Sequence, residues 1–110
     1  MTELIVVNTD FVPGHEIVEA LGLARGSPVR AKHIGKDIMA GLRTLVGGEV
    51  KEYGEMLIET RAESVKRMKK QAEDLGADAV INVRFMTSQV MAGAAELMAY
   101  GTAVKLKPKA

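Results

Sequence analysis

The apolar run Leu4 to Val7, largely β-branched and closed by Asn8, Thr9 and Asp10, predicts one short strand, and Pro13-Gly14 predicts a turn after it. From Glu16 to Leu23, the residues Ile17, Val18, Ala20 and Leu21 alternate loosely with Glu16 and Glu19. Arg25-Gly26-Ser27-Pro28 then breaks the pattern before Val29 to Lys32. This predicts two strands joined through a turn, because proline has no backbone N–H to give to a central ladder.

Between His33 and Val46 the period changes. Ile34, Ile38, Leu42 and Leu45 fall at spacings of 4, 4 and 3, which predicts a short helix with one apolar face. Gly47-Gly48 ends it, since glycine enters the left-handed conformations a helix terminus uses. A longer helix follows from about Tyr53 to Leu75, where Ile58, Ala62, Val65, Met68, Ala72 and Leu75 form a stripe at spacings of 4, 3, 3, 4 and 3. On its other face Glu55, Glu59 and Glu63 precede Lys66, Arg67, Lys69 and Lys70, a gradient that complements the helix dipole. Glu63 and Arg67 make a favourable pair four residues apart, and Gly76 supplies the stop.

After Gly76, Ile81, Val83 and Phe85 alternate with Asn82 and Arg84, predicting a strand from Ala79 to Met86. A last strand from Glu96 to Leu106 carries Met98, Tyr100, Thr102, Val104 and Leu106 on one side. Between them, Gly93 and its β-branched neighbours favour a hairpin turn or irregular link over a helix. A long helix with one stripe must bury it, and the alternating strands offer the matching surface, so residues 1–110 form a single α+β domain with an antiparallel sheet. Several short strands also leave sheet edges, which pairing with further copies would cover.

The chain has 110 residues, 47% of them hydrophobic and 26% charged, enough for one core and too few for two. Fifteen Lys and Arg against fourteen Asp and Glu leave a net charge of +1, which argues against a dedicated nucleic-acid or membrane-surface protein. The absence of cysteine excludes disulfides, iron–sulfur ligation and a thiol nucleophile. No span approaches the roughly 20 apolar residues of a membrane helix, and the run at Leu4 to Val7 is too short for a signal-peptide core, so a cytoplasmic protein is expected.

Candidate chemistry is sparse. His33 and Asp37, four apart at a helix start, share one face and could orient an imidazole for proton transfer or a metal, although capping and surface charge account for the pair as well. His15 follows a turn and has no partner at metal-ligand spacing. The seven methionines could suit a soft ion, but Met68, Met86 and Met98 sit at positions where methionine ordinarily fills a core. Glu49, Glu52 and Glu55 give the acidic first turn expected of any helix. The basic run Lys66 to Lys70 has no aromatic residue beside it for base stacking, and reads as a solvated helix face.

The run Gly47-Gly48, Tyr53, Leu57, Arg61 and Leu75-Gly76-Ala77-Asp78-Ala79-Val80-Ile81-Asn82-Val83 resembles the YbjQ family of small bacterial and archaeal proteins, which carry a heavy-metal-binding label. Gly14-His15-Glu16-Ile17-Val18-Glu19, the segment Ile34 to Arg43, and Gly101-Thr102-Ala103-Val104 resemble the same family. The chain departs from the family pattern at His33 (usually Asn), Gly54 (commonly acidic) and Ser64 (usually Ala). The resemblance implies an α+β subunit, two helices on an antiparallel sheet, assembled as a ring and specifically a homopentamer. It implies no reaction. The expected function is a non-enzymatic homo-oligomeric ring binding a small ligand or ion at subunit interfaces, with His33, Asp37 and Tyr53 as candidate ligand-binding residues. The alternatives are an enzyme whose active site is completed between subunits, and heavy-metal binding as the label suggests. No residue is assigned as catalytic or as a metal ligand, the cofactor is open, and neither nucleic acid nor a membrane is expected as a partner.

Overall fold

A computed structural model describes residues 3–28, 51–91 and 94–109, with only the backbone course given for residues 51–56, 89–91, 94 and 95. In chain order the elements are β1 (Ile5–Val6), β2 (His15–Gly26), α1 (Lys51–Asp74), β3 (Ala79–Met91) and β4 (Ala94–Pro108). The strands form one sheet in the order β1-β3-β4-β2, with α1 packed on one face. The architecture is α+β, as the sequence pattern predicts. The sheet is mixed rather than antiparallel, because β1 runs parallel to β3, pairing Ile5 with Ala79 and Val6 with Val80. The short helix expected over residues 33–46 lies outside the described residues, as do residues 29–32. The turn expected from Arg25 begins later, since β2 stays paired to β4 through Gly26↔Ala99.

The expected stripe of α1 holds at Met68 and Ala72, is displaced in its first half, and fails at its end, where Leu75 lies past the helix and is 42% exposed. Met68 and Ala72 are fully buried, but the positions that continue their row inward are Ser64 and Thr60, while Ile58 is 63% exposed and Ala62 faces solvent. The reason is the closeness of the helix to the sheet. Its neighbours there are Gly26, Ala24, Ala99 and Ala103, all buried, which leave no depth for a branched side chain. Ser64 fits, and its Oγ is hydrogen-bonded to Thr60 O at 2.9 Å and Leu97 O at 2.7 Å. The outer face carries the expected Glu63–Arg67 pair at 3.1 Å and a Lys70–Asp74 pair at 2.8 Å. Asp74 raises the Lys70 ammonium above its ordinary value, through the hydrogen bond first and through charge second.

Gly76, at φ 82°, closes the helix. Its N–H donates to Glu73 O at 2.9 Å and that of Ala77 to Ala72 O at 3.1 Å, the paired bonds of a Schellman motif. The chain then enters β3, where the expected alternation fails at one residue. Asn82 has φ 54°, and the β3–β4 register slips between Ile81 and Arg84. Because the bulge inserts one residue, Ile81 packs with Val12, Ala79 and Val104 on the far face, whereas Val83 joins Val80 on the helix face. Opposite the bulge stands Gly101, whose hypothetical Cβ would lie 2.7 Å from Ile81 O and from a Val80 methyl.

On β4 the small residues Ala99 and Ala103 face the helix and are fully buried, and the alternation places the buried Leu97 on the same face. Val104 and Leu106 pack on the far face beneath Val12. Further along that face Met86 is 44% exposed, which corrects its expected role as core filling: the segment bearing Val12 covers only one end of the sheet. β3 and β4 remain paired to Met91↔Ala94, the hairpin outcome expected for this region.

Two outcomes test this packing. Gly26→Ala directs a methyl at the backbone O of Ser64, and should cost about 1–3 kcal/mol in urea denaturation at fixed protomer concentration. Asn82→Ala should cost about 1–2 kcal/mol by placing an alanine in the left-handed region, while Asn82→Gly, read in the same denaturation series, should change stability by a few tenths of that.

Candidate functional site

β1 is only two residues long, so it leaves β3 early, and the departing chain wraps the strand edge. Val7 and Thr9 carbonyls accept hydrogen bonds from the N–H groups of Val83 and Asn82 at 3.1 and 2.9 Å. The bulge at Asn82 presents both donors in succession. Thr9 Oγ1 donates to Phe11 O at 2.7 Å and His15 Nδ1 to Pro13 O at 3.0 Å, which fixes the loop from Asn8 to Gly14. Past this point the β3 edge has no β1 neighbour.

A groove of about 720 Å³ runs beside that edge. Among the described residues its walls are Val6, Val7, Phe11, Pro13, Val65, Val83 and Phe85, with Asn8, Thr9 and Arg84 as polar members. Phe11 and Phe85 are about half exposed, at 56% and 48%. Arg84 is the cation of the groove, and its Nη1 donates to Asn8 O at 2.9 Å and Val83 O at 3.0 Å. Two backbone carbonyls therefore hold the guanidinium in place, and no carboxylate among the described residues pairs with it. The periodicity of β3 marks Arg84 as a polar position without hinting at this role. The missing signal is the bulge, which brings the loop carbonyl of Asn8 within its reach.

The candidate ligand-binding side chains named from the sequence lie outside the described residues. Tyr53 falls in the first turn of α1, but its side chain lies outside the described residues. His33 and Asp37 lie outside them altogether, as does Glu49. In the basic run of α1, Arg67 and Lys70 pair with acids on their own helix, and Lys69 approaches Glu3 at 4.0 Å. Among the described residues no group of three or more His, Asp or Glu side chains could hold a metal, and the chain has no cysteine. These donors do not fit a thiophilic heavy metal within one subunit. No described helix is long and apolar enough to cross a membrane.

Known proteins resemble this chain over nearly its whole length. A protein of Methanosarcina acetivorans named UPF0145 protein is 61% identical over 103 residues, covering 94% of this chain and 97% of its own. A namesake from Archaeoglobus fulgidus is 61% identical over 105 residues, covering 96% and 97%. One from Fervidobacterium nodosum is 62% identical over 104 residues, covering 94% and 96%. Among solved structures, a DUF74-family protein of unknown function from Pediococcus pentosaceus superposes with a TM-score of 0.52 at 18% identity, over 94% of this chain and 98% of that one. That likeness concerns the fold alone. The family model YbjQ_1, described as "Putative heavy-metal-binding", matches residues 4–107, and the chain belongs to the YbjQ family.

Proposed function

We propose that the protein is a non-enzymatic homo-oligomeric ring that holds a small ligand or ion in the crevices between its subunits. The observation that carries this reading is the outer edge of β2. Among the described residues it is a terminal strand in the order β1-β3-β4-β2, 12 residues long, and it exposes Ile17, Val18 and Leu23. Long edges bearing apolar side chains pair with further chain unless they are blunted. Two bulges, after Ile17 and after Ala20, and the exposed Glu16 and Glu19 blunt the first half of β2, whereas Leu23 lies beyond the second bulge on the regularly paired half.

Three further features agree. Ile58 lies bare on α1, and Leu23 and Met86 lie bare on the far face of the sheet. β2 reaches only Ala99 of β4 and β1 only Val80 of β3, so the remainder of the hairpin is a two-stranded arm among the described residues. Such arms are marginal in water without a neighbour. Cyclic symmetry would satisfy all these surfaces with one repeated contact. The number five follows from the resemblance to the YbjQ family. His33, Asp37 and Tyr53 are the residues proposed for the crevices, and a cytoplasmic site of action is part of the same reading.

The heavy-metal label of the family model has less support in this chain. Soft ions prefer thiolates, and two histidines 18 residues apart in sequence cannot replace them within one subunit. A metal site would need copies of His33 or of the Glu49, Glu52 and Glu55 group to converge at a symmetry axis.

Light scattering should therefore report one closed oligomer, five subunits in mass, across a hundredfold dilution, and a monomer throughout that range would overturn the reading. Equilibrium dialysis should find no stoichiometric zinc or Cu(I) tighter than roughly micromolar. One tight ion per subunit, abolished by His33→Ala, would return the label to first place.

A further inference from the structure

We propose that the groove beside β3 binds a small amphipathic monocarboxylate, with Arg84 receiving the carboxylate and Phe11, Phe85 and their valine neighbours flanking the hydrocarbon body. The groove holds about 720 Å³ and is open to solvent along its length, so a ligand would lie along it with one side exposed. Its described walls are mostly apolar, with Asn8, Thr9 and Arg84 as polar members, and Arg84 is the cation among them.

The guanidinium decides the chemistry. Nη1 is committed to the Asn8 and Val83 carbonyls, so the group is oriented before any ligand arrives. Its Nε and Nη2 hydrogens remain for an incoming acceptor, since no described side chain pairs with them and no acidic residue is among the described walls. A guanidinium edge matches the two oxygens of a carboxylate, each taking one N–H. An uncharged alcohol would cover the same hydrocarbon without a charge-assisted pair to the solvent-exposed guanidinium, and an ammonium would be repelled. An apolar body fits because Phe11, Pro13, Val83 and Phe85 carry no side-chain hydrogen-bonding group and the Thr9 hydroxyl is engaged with the Phe11 carbonyl.

The site belongs to a single subunit and stands or falls separately from the ring. A monomer that binds such a carboxylate would refute the ring and leave the groove, and a ring that fails to bind would do the reverse.

Isothermal titration of the intact protein with octanoate, octan-1-ol and octylammonium is the test. Octanoate should bind saturably, one per subunit, at least tenfold tighter than the other two, and shortening to hexanoate should weaken it by up to about fourfold per methylene removed. Arg84→Gln should weaken octanoate at least tenfold and leave octan-1-ol unchanged. Because Arg84 also ties down the Asn8 carbonyl, Phe85→Ser serves as a second variant that keeps those bonds: it should weaken octanoate and octan-1-ol alike. Equal affinity for acid and alcohol, an Arg84→Gln protein that binds octanoate as before, an unaffected Phe85→Ser protein, or no saturable binding of octanoate would each overturn the proposal.

Discussion

The close approach of α1 to the sheet is the constraint on which the other features depend. Gly26 passes against the helix backbone at Ser64 and Met68, where even a methyl group would collide. Ala24, Ala99 and Ala103 floor the same contact, so the helix is held at the distance of small residues and its buried row narrows to Thr60, Ser64, Met68 and Ala72. A shallow interface of this kind buries little apolar area per residue, and its stability comes from dense packing and satisfied polar groups. Ser64 supplies one of these, taking the carbonyl of Leu97 just beyond the end of β2.

That closeness displaces apolar residues to other surfaces. Ile58 turns outward on the helix, and Val104 and Leu106 of β4 lie on the face away from it. Val12 and its neighbours cover one end of that face, forming a second small cluster with Ala79, Ile81 and Val104. Leu23 and Met86 remain bare. Two small buried clusters, an outer β2 edge with no neighbouring strand among the described residues, and several exposed apolar side chains are the physical ground for the proposed assembly.

The bulge at Asn82 is the second organising device. By inserting one residue it moves Val83 to the helix side and turns two consecutive N–H groups toward the carbonyls of Val7 and Thr9. The loop after β1 is thereby fastened to the edge of β3, and the carbonyl of Asn8 comes within reach of Arg84. One left-handed residue thus sets the packing of a strand, the course of a loop and the orientation of the cation in the groove.

The sequence alone determined the elements and the family. The long helix α1, the stop at Gly76 and the alternation of the last strand are local consequences of periodicity and backbone freedom, and each is readable without a partner. The Glu63–Arg67 pair is legible for the same reason, since both residues belong to one helix. What the tertiary structure decided depends on contacts distant in sequence. Periodicity marked Ile58 and Ala62 as buried because it counts hydrophobicity, but the depth available beneath them was set by Gly26 and Ala99 on other strands. It placed Ile81 with Val83 because alternation assumes an unbroken ladder, whereas the N–H groups of Asn82 and Val83 turn to the carbonyls of Thr9 and Val7, some 75 residues earlier. Arg84 is an ordinary polar position until that loop arrives, because only a fixed carbonyl neighbour distinguishes a positioned guanidinium from a solvated one.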